Sequence, residues 1–407
     1  MEFSTLSKQL TKSISKNDKK TQGIFFTPPE TINQIIDFLA PYLPEITNIL
    51  EPSCGSGEFI NILNELHPEP HFQITGIELN KKIFDAIEPH AAENVDLINT
   101  SFLTYHPVTP PELIIGNPPF FVMKKPQVDE DYYPFFDGRP NIFILFLIKS
   151  INILAEGGII SYVLPKNFLN CLYYDKTRQF IDQKCKILEI VHCDDQYLDT
   201  QQDTIIMIFQ KTTPEPGEND AFVIKRNGYT AFGRPEDITK IKSLYEDTLS
   251  PTTNLRALGF KVSVGNVVWN QCKTILTNDN SKTRLIYNSD IVNGELRMRT
   301  YRNEEKKNFI NQEGGESPLL VVNRGYRAGT YNFEYCLIEG GFKYLIENHL
   351  ICIKYVEEIE DEELIELYKK IITSLEDPRT SEFIRLYFGN NAINTTELNE
   401  VLPIYNM

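Results

Sequence analysis

The chain lacks any apolar run long enough to cross a bilayer. Its longest, NIFILFLIKSINIL, is interrupted by Lys149 and Ser150. The opening MEFSTLSKQLTKSISKNDKK has no apolar core, so it reads as a mobile arm or a first helix over a groove and not as a secretory signal. No two cysteines stand in CxxC spacing, and the total of seven is odd. That argues for a reducing, intracellular setting and against a disulfide framework or a zinc site. His192 and Cys193 are neighbours, but nothing near them completes a ligand set, and no metal is expected. Internal repeats and low-complexity tracts are also missing. So is net positive charge: the formal value is −16, which at first counts against a nucleic-acid partner.

The distribution of charge changes that reading. VEEIEDEELIE, 356–366, concentrates acid and is expected on one face of a helix, whereas residues 255–330 hold twelve Lys or Arg against seven Asp or Glu. A locally basic module inside an acidic chain is compatible with a phosphate-binding cleft.

A length of 407 residues suits two or three domains with sizeable cores. Short β-type runs (EITNIL, FQITGIEL, NVDLI, ELIIG, GGIISYVL, KILEIVH and DTIIMIFQ) alternate with helical stretches such as TINQIIDFLAPYL and FILFLIKSINILAEGG. The second of these is expected to end on Gly157 and Gly158. The alternation predicts an α/β fold with a doubly wound, mainly parallel seven-stranded sheet. No helix separates the last two runs, so they should form an antiparallel pair at one edge. After KTTPEPGEND, Pro and Gly punctuate mixed short strands, and helices close the chain. The expected boundary lies near 250, giving a first domain over 1–250 and a mixed α+β domain over 251–407.

Three stretches carry chemistry. In ILEPSCGSGEFI, 49–60, a strand ending on Glu51 enters a turn whose Gly55 and Gly57 let backbone approach a ligand closely. Glu78, 21 residues beyond Gly57 at the end of the next strand, stands where a carboxylate grips ribose hydroxyls. Together they point to a nucleoside-containing cofactor. In LIIGNPPFF, 113–121, a buried strand stops at Asn117 and two prolines, whose rings fix φ near −65° and remove two N–H donors. Such a corner costs packing and can hold something flat and polar at the carboxyl edge of the sheet, where open α/β sheets bind ligands. In TQGIFFTPPE, 21–30, Thr27, two prolines and Glu30 read as a helix start.

The order of these stretches (TPPE, glycine turn, NPPF, then a basic second half) resembles the gamma-group, Taq-type DNA adenine N(6)-methyltransferases of restriction–modification systems, strongly over 21–211 and more loosely over 255–405. The resemblance implies S-adenosylmethionine as cofactor, lined by Thr27, Glu51, Ser53, Gly55, Gly57, Glu78, Leu79, Ser101, Phe102 and Pro119. It implies a catalytic corner of Asn117, Pro118, Pro119 and Phe120. Asn117 and Phe120 would hold the target base with Phe25 and with Tyr197, fourteen residues before Lys211. The chemistry is consistent: an adenine amine is conjugated and weakly nucleophilic. If the Asn117 oxygen and the Pro118 carbonyl each accept one of its N–H groups, the nitrogen is drawn towards sp³ geometry without a strong base. Where the family commonly has Asp-Phe, this chain has Ser101-Phe102. An uncharged hydroxyl is a weaker acceptor, which predicts lowered cofactor affinity.

NGELRMRTYR and VVNRGYRAGTYNF interleave Arg with aromatic and Gly residues. Arg297, Arg299, Arg324 and Arg327 are therefore candidates for phosphate or guanine-edge contacts in a target-recognition domain. The implied partner is double-stranded DNA whose target adenine leaves the stack. A separately encoded restriction endonuclease, a monomeric state, a bacterial or viral-host intracellular setting and no membrane association complete the expectation. RNA adenine or protein glutamine methylation, or a DNA-binding module without activity, are the competing readings.

Overall fold

Seven runs of apolar residues become seven strands of one sheet: β1 (Asn48–Glu51), β2 (Gln73–Ile77), β3 (Val95–Ile98), β4 (Leu113–Gly116), β5 (Ile159–Pro165), β6 (Cys185–Cys193) and β7 (Thr204–Lys211). Their order is β3-β2-β1-β4-β5-β7-β6. The first five pair in parallel, and β7 lies antiparallel to both β5 and β6. This is the predicted α/β sheet with its antiparallel last strand. The computed structural model describes residues 3–67, 71–193, 203–246, 252–324, 333–388 and 392–406. The chain divides into one compact unit of 1–225 with 230–238 and another of 226–229 with 239–407.

Both faces of the sheet are covered, which is why its strands read as unbroken apolar runs. Leu113 and Ile115 pack on one face with α3 (Pro29–Leu39) and α4 (Glu58–Leu66), while Ile114 packs on the other with α6 (Ile142–Ile153). That is the two-residue period of a strand. Residues Ile142 to Ile151 of α6 are buried all round. Side chains such as Phe143 and Leu147 each stabilise the unit by roughly 1.5–3 kcal/mol. α6 stops at Ile153, earlier than its sequence suggests. Gly157, with φ +78°, instead makes the turn into β5, and its N–H donates to Lys211 O at 2.8 Å.

Two short helices, α1 (Thr5–Ser13) and α2 (Lys16–Gln22), precede α3. Ser7 is fully buried. Its hydroxyl lies against the Glu58 carboxylate and 2.7 Å from Ser56 Oγ, while the Ser4 N–H donates to Glu58 at 3.0 Å. The opening segment is thus a docked helix tied to the glycine turn. Helices α5 (Lys81–Ile87) and α7 (Asp175–Lys184) complete the layers.

The second unit is mixed α+β. Phe260–Val264, Leu350–Tyr355, Leu319–Asn323 and Tyr335–Ile338 form an antiparallel sheet in that order. A second sheet joins Leu276–Thr277, Phe309–Ile310, Thr283–Ile286 and Tyr344–Ile346. Helices Asp361–Leu375 and Pro378–Tyr387 follow. The acidic run does not form a helical face. Its first residues precede the helix, and Asp361, Glu362 and Glu363 occupy the first turn, where negative charge is favoured by the helix dipole.

Candidate active site

Strand order reverses between β1 and β4, and their carboxyl ends open the crevice in which such sheets bind ligands. β1 delivers Glu51 and the glycine turn there, and β4 delivers Asn117. The turn is fixed by Cys54 N–H to Ile77 O at 2.8 Å and Gly57 N–H to Cys54 O at 2.7 Å. Gly55 has φ +53°, and its N–H donates to Glu78 at 3.0 Å. The other Glu78 oxygen accepts from Asn80 N–H at 2.6 Å. Glu78 is therefore held in place by backbone on both oxygens, with lone pairs left over. Burial raises its pKa, and those two N–H groups oppose the rise.

Asn117 is oriented by its amide nitrogen. Nδ2 donates to Thr27 Oγ1 at 3.0 Å and to Phe25 O at 3.4 Å. Its Oδ1 is buried with no hydrogen-bond partner among the described residues. A buried, unsatisfied acceptor costs stability unless something donates to it. The Asn117 carbonyl accepts from Ser53 Oγ at 3.1 Å, which joins the corner to the glycine turn.

Ser53, Gly55, Glu78, Leu79, Ser101, Phe102, Asn117, Pro119 and Phe25 line one cavity of about 160 Å³. The structure thus brings together most of the residues expected around a cofactor. Thr27 lies outside that lining and holds the Asn117 amide. Gly57 is the N-cap of α4, and Glu51 is buried. Pro118 is buried, and Phe120 is part-buried with its ring edge-on to Phe143, centroids 5.9 Å apart. Tyr197 and Arg327 lie outside the described residues. Arg297 and Arg299 are exposed on one loop, whereas Arg324 is part-buried and donates to Asn348 O at 3.4 Å.

Sequence reasoning missed Gln22, Gly23, Phe121, Ile142 and Phe146 in the lining. Phe146 sits in a helix buried all round, so no periodic signal separates it from core. It packs on Phe102 with ring centroids 4.8 Å apart. Gly23 carried the better signal, as a lone glycine just ahead of IFFTPPE.

Glu51 supplies a second buried acceptor: Oε2 has no hydrogen-bond partner among the described residues. Burial above all, then Glu78 and Glu58, push its carboxyl well above the usual carboxylate range. The folded protein therefore holds that proton more tightly than the unfolded chain does. Stability on this account is full below the ordinary carboxylate range and is lost as pH rises through the raised value. Glu51→Gln is accordingly expected to raise the melting temperature of the ligand-free protein by about 3 °C at pH 8, with a smaller gain at pH 5. Thermal melts at both pH values check this, and an equal gain at both would contradict it.

Sheet order, glycine turn and proline corner together define the class: an α/β protein whose seven-stranded mixed sheet opens a ligand crevice at the β1/β4 reversal. Residues 75–198 match the family described as Eco57I restriction-modification methylase. The chain is 26% identical over 413 residues to the type II methyltransferase M.CvrRI of Paramecium bursaria Chlorella virus XZ-6E, covering 99% of each chain. It is equally similar, 26% over 414 residues and 99% of each chain, to modification methylase CviBIII of Paramecium bursaria Chlorella virus NC1A. A cryoEM structure of a DrdV–DNA complex superposes with a TM-score of 0.58 at 12% identity, over 95% of this chain and 57% of that one, a likeness of fold. Along nearly its whole length, the chain is thus similar to restriction–modification methyltransferases.

Proposed function

We propose that this protein transfers the methyl group of S-adenosylmethionine to the exocyclic amine of an adenine swung out of duplex DNA at a specific sequence. The observation that carries the reading is the Asn117 side chain, whose Nδ2 is committed to Thr27 and Phe25 and whose Oδ1 is buried with no partner among the described residues. That geometry presents an acceptor and withholds the donor, as an N–H-bearing substrate requires. The cavity fits the cofactor. With the cofactor bound, Glu78 would accept hydrogen bonds from its ribose hydroxyls, Ser101 and Phe102 would meet its adenine ring, and the unpartnered Glu51 Oε2 would offer an acceptor to its amino group. Bound there, the cofactor supplies an electrophilic methyl group on a positively charged sulphur.

The chain's own residues supply position and polarity. Asn117 Oδ1 and the Pro118 carbonyl each accept a hydrogen bond from one amine N–H, which localises the nitrogen lone pair and stabilises the positive charge that develops on it. Proline at 118 and 119 removes two N–H donors that would compete for those acceptors. Phe120, Phe25 and Tyr197 supply flat or apolar surfaces for the base. Arg297, Arg299, Arg324 and Arg327 belong to the recognition half that contacts DNA.

Tritiated S-adenosylmethionine offered to duplex DNA, RNA and a glutamine-bearing protein tests the substrate class, followed by nucleoside analysis of the product. Label is expected on DNA as N6-methyladenine. Label only on RNA or protein, or N4-methylcytosine as the product, would overturn the proposal.

A further inference from the structure

In the second unit, the Lys306 ammonium sits inside a cage of rings. Its Nζ lies 3.9 Å from the centroid of Tyr287, 4.3 Å from Tyr301 and 5.9 Å from Trp269. The two tyrosine rings meet at 66° with centroids 5.1 Å apart. The cage itself is pinned: Tyr287 OH donates to Lys307 O at 2.8 Å and Tyr301 OH to Asp290 Oδ1 at 2.6 Å. Asp290 is buried and also accepts Tyr287 N–H at 3.1 Å. A lysine that serves phosphate stands in water with its charge free. This one is part-buried: burial lowers its pKa, Glu347 and Asp290 oppose that, and its charge is engaged locally by the rings and these carboxylates.

What the cage holds is a loop. Residues 297–300 are exposed and outside any strand or helix. Arg297 N–H donates to Asp290 O at 2.7 Å at the start of the tip, and Arg299 O within it accepts from Asn308 Nδ2 at 2.9 Å. Tyr301, one residue past the tip, is a wall of the cage. On this tethered tip Arg297 and Arg299 are exposed, Arg297 paired with Glu295 at 3.0 Å, and between them stands Met298, a large apolar side chain left 54% exposed. Two forked cations around one apolar side chain on a tethered tip suit a DNA groove. Guanidinium groups read guanine edges there, and an apolar side chain meets a thymine methyl or a base step.

We infer that Lys306 is a positioning residue for sequence discrimination: it sets the register of the 297–300 tip against the bases and does not itself hold a phosphate. The inference rests on the reading of this unit as a DNA-recognition module.

The test starts from the recognition sequence, read from methylated bases in DNA of an expressing cell. Turnover is then compared on the cognate duplex and on duplexes with one base pair changed, over a range of salt. K306M is expected to lower the cognate-to-mismatch ratio of kcat/KM by about tenfold. S-adenosylmethionine affinity and the salt slope of DNA binding should not change. K306R, which keeps a cation over the rings, should restore most of the ratio. Should K306M fail to fold, Tyr301→Phe carries the test, with a smaller loss in the same direction. An unchanged ratio in whichever variant is scored overturns the inference while leaving DNA methylation intact. So does a salt slope lower by about one with discrimination preserved, the mark of a phosphate contact. Wild-type protein that methylates no DNA sequence preferentially would instead remove the underlying reading, and the inference with it.

Discussion

Asn117→Ala is expected to lower turnover by about 10²–10³-fold, the loss typical when one preorganised group at a charge-developing atom is removed. Affinity for S-adenosylmethionine should change little, because Glu78 and the glycine turn are held by their own backbone bonds. DNA binding should also survive, since the arginine-bearing loop lies elsewhere in the chain. Single-turnover rates set beside equilibrium binding of both ligands separate these effects. Asn117→Asp is informative too: a carboxylate keeps the acceptor but loses the N–H donor to Thr27 Oγ1 and Phe25 O. It should be impaired by misorientation. Turnover close to wild type in the alanine variant would remove the mechanism.

The second large effect belongs to Gly23. This residue caps α2 with φ +66°, and a Cβ there would lie 2.6 Å from Phe120 N and 3.0 Å from Pro119 Cβ. The left-handed backbone alone costs a non-glycine residue roughly 1–2 kcal/mol. The contact matters more. Its partner is main chain between a proline and a phenylalanine, which cannot swing aside as a side chain does. Gly23→Ala therefore moves either the arm or the catalytic corner, and a displacement of about 1 Å at a reacting centre can cost 10²-fold in rate. Gly138 provides the control. It has φ +70°, and a Cβ added there would meet nothing within 4 Å, so Gly138→Ala carries the strain without the collision. A fall in kcat of about 10²-fold for Gly23→Ala is expected, with Gly138→Ala near wild type. Equal, modest effects in both would show that only backbone strain is at work.

Much of the first unit was legible in the residues because doubly covered strands leave continuous apolar runs and βα alternation leaves few topologies. The proline corner was legible for the opposite reason: Asn-Pro-Pro after a buried strand is poor for packing and asks for another explanation. Contacts between distant segments were not. The Thr27–Asn117 hydrogen bond joins residues 90 apart, and Gly23 meets Phe120 only once the sheet has placed both. The family resemblance implied Thr27 at the cofactor; in the structure its hydroxyl accepts from the Asn117 amide. Composition also misled about acid, which gathers in the first turn of a helix at 361–363 instead of lining its side. In the second unit, arginines were visible as charge, but the aromatic cage was not. Trp269, Tyr287, Tyr301 and Lys306 follow no period and meet only through tertiary packing.

The place of β7 has a consequence for biosynthesis. It is the last strand of its sheet to leave the ribosome, yet it bonds on both sides, to β5 and to β6. Until it arrives, two neighbours wait with bare hydrogen-bonding edges. At translation speeds of about 5–20 residues per second, the gap between β5 and β7 lasts a few seconds. Nascent chains stalled in that interval should be the ones that chaperones capture.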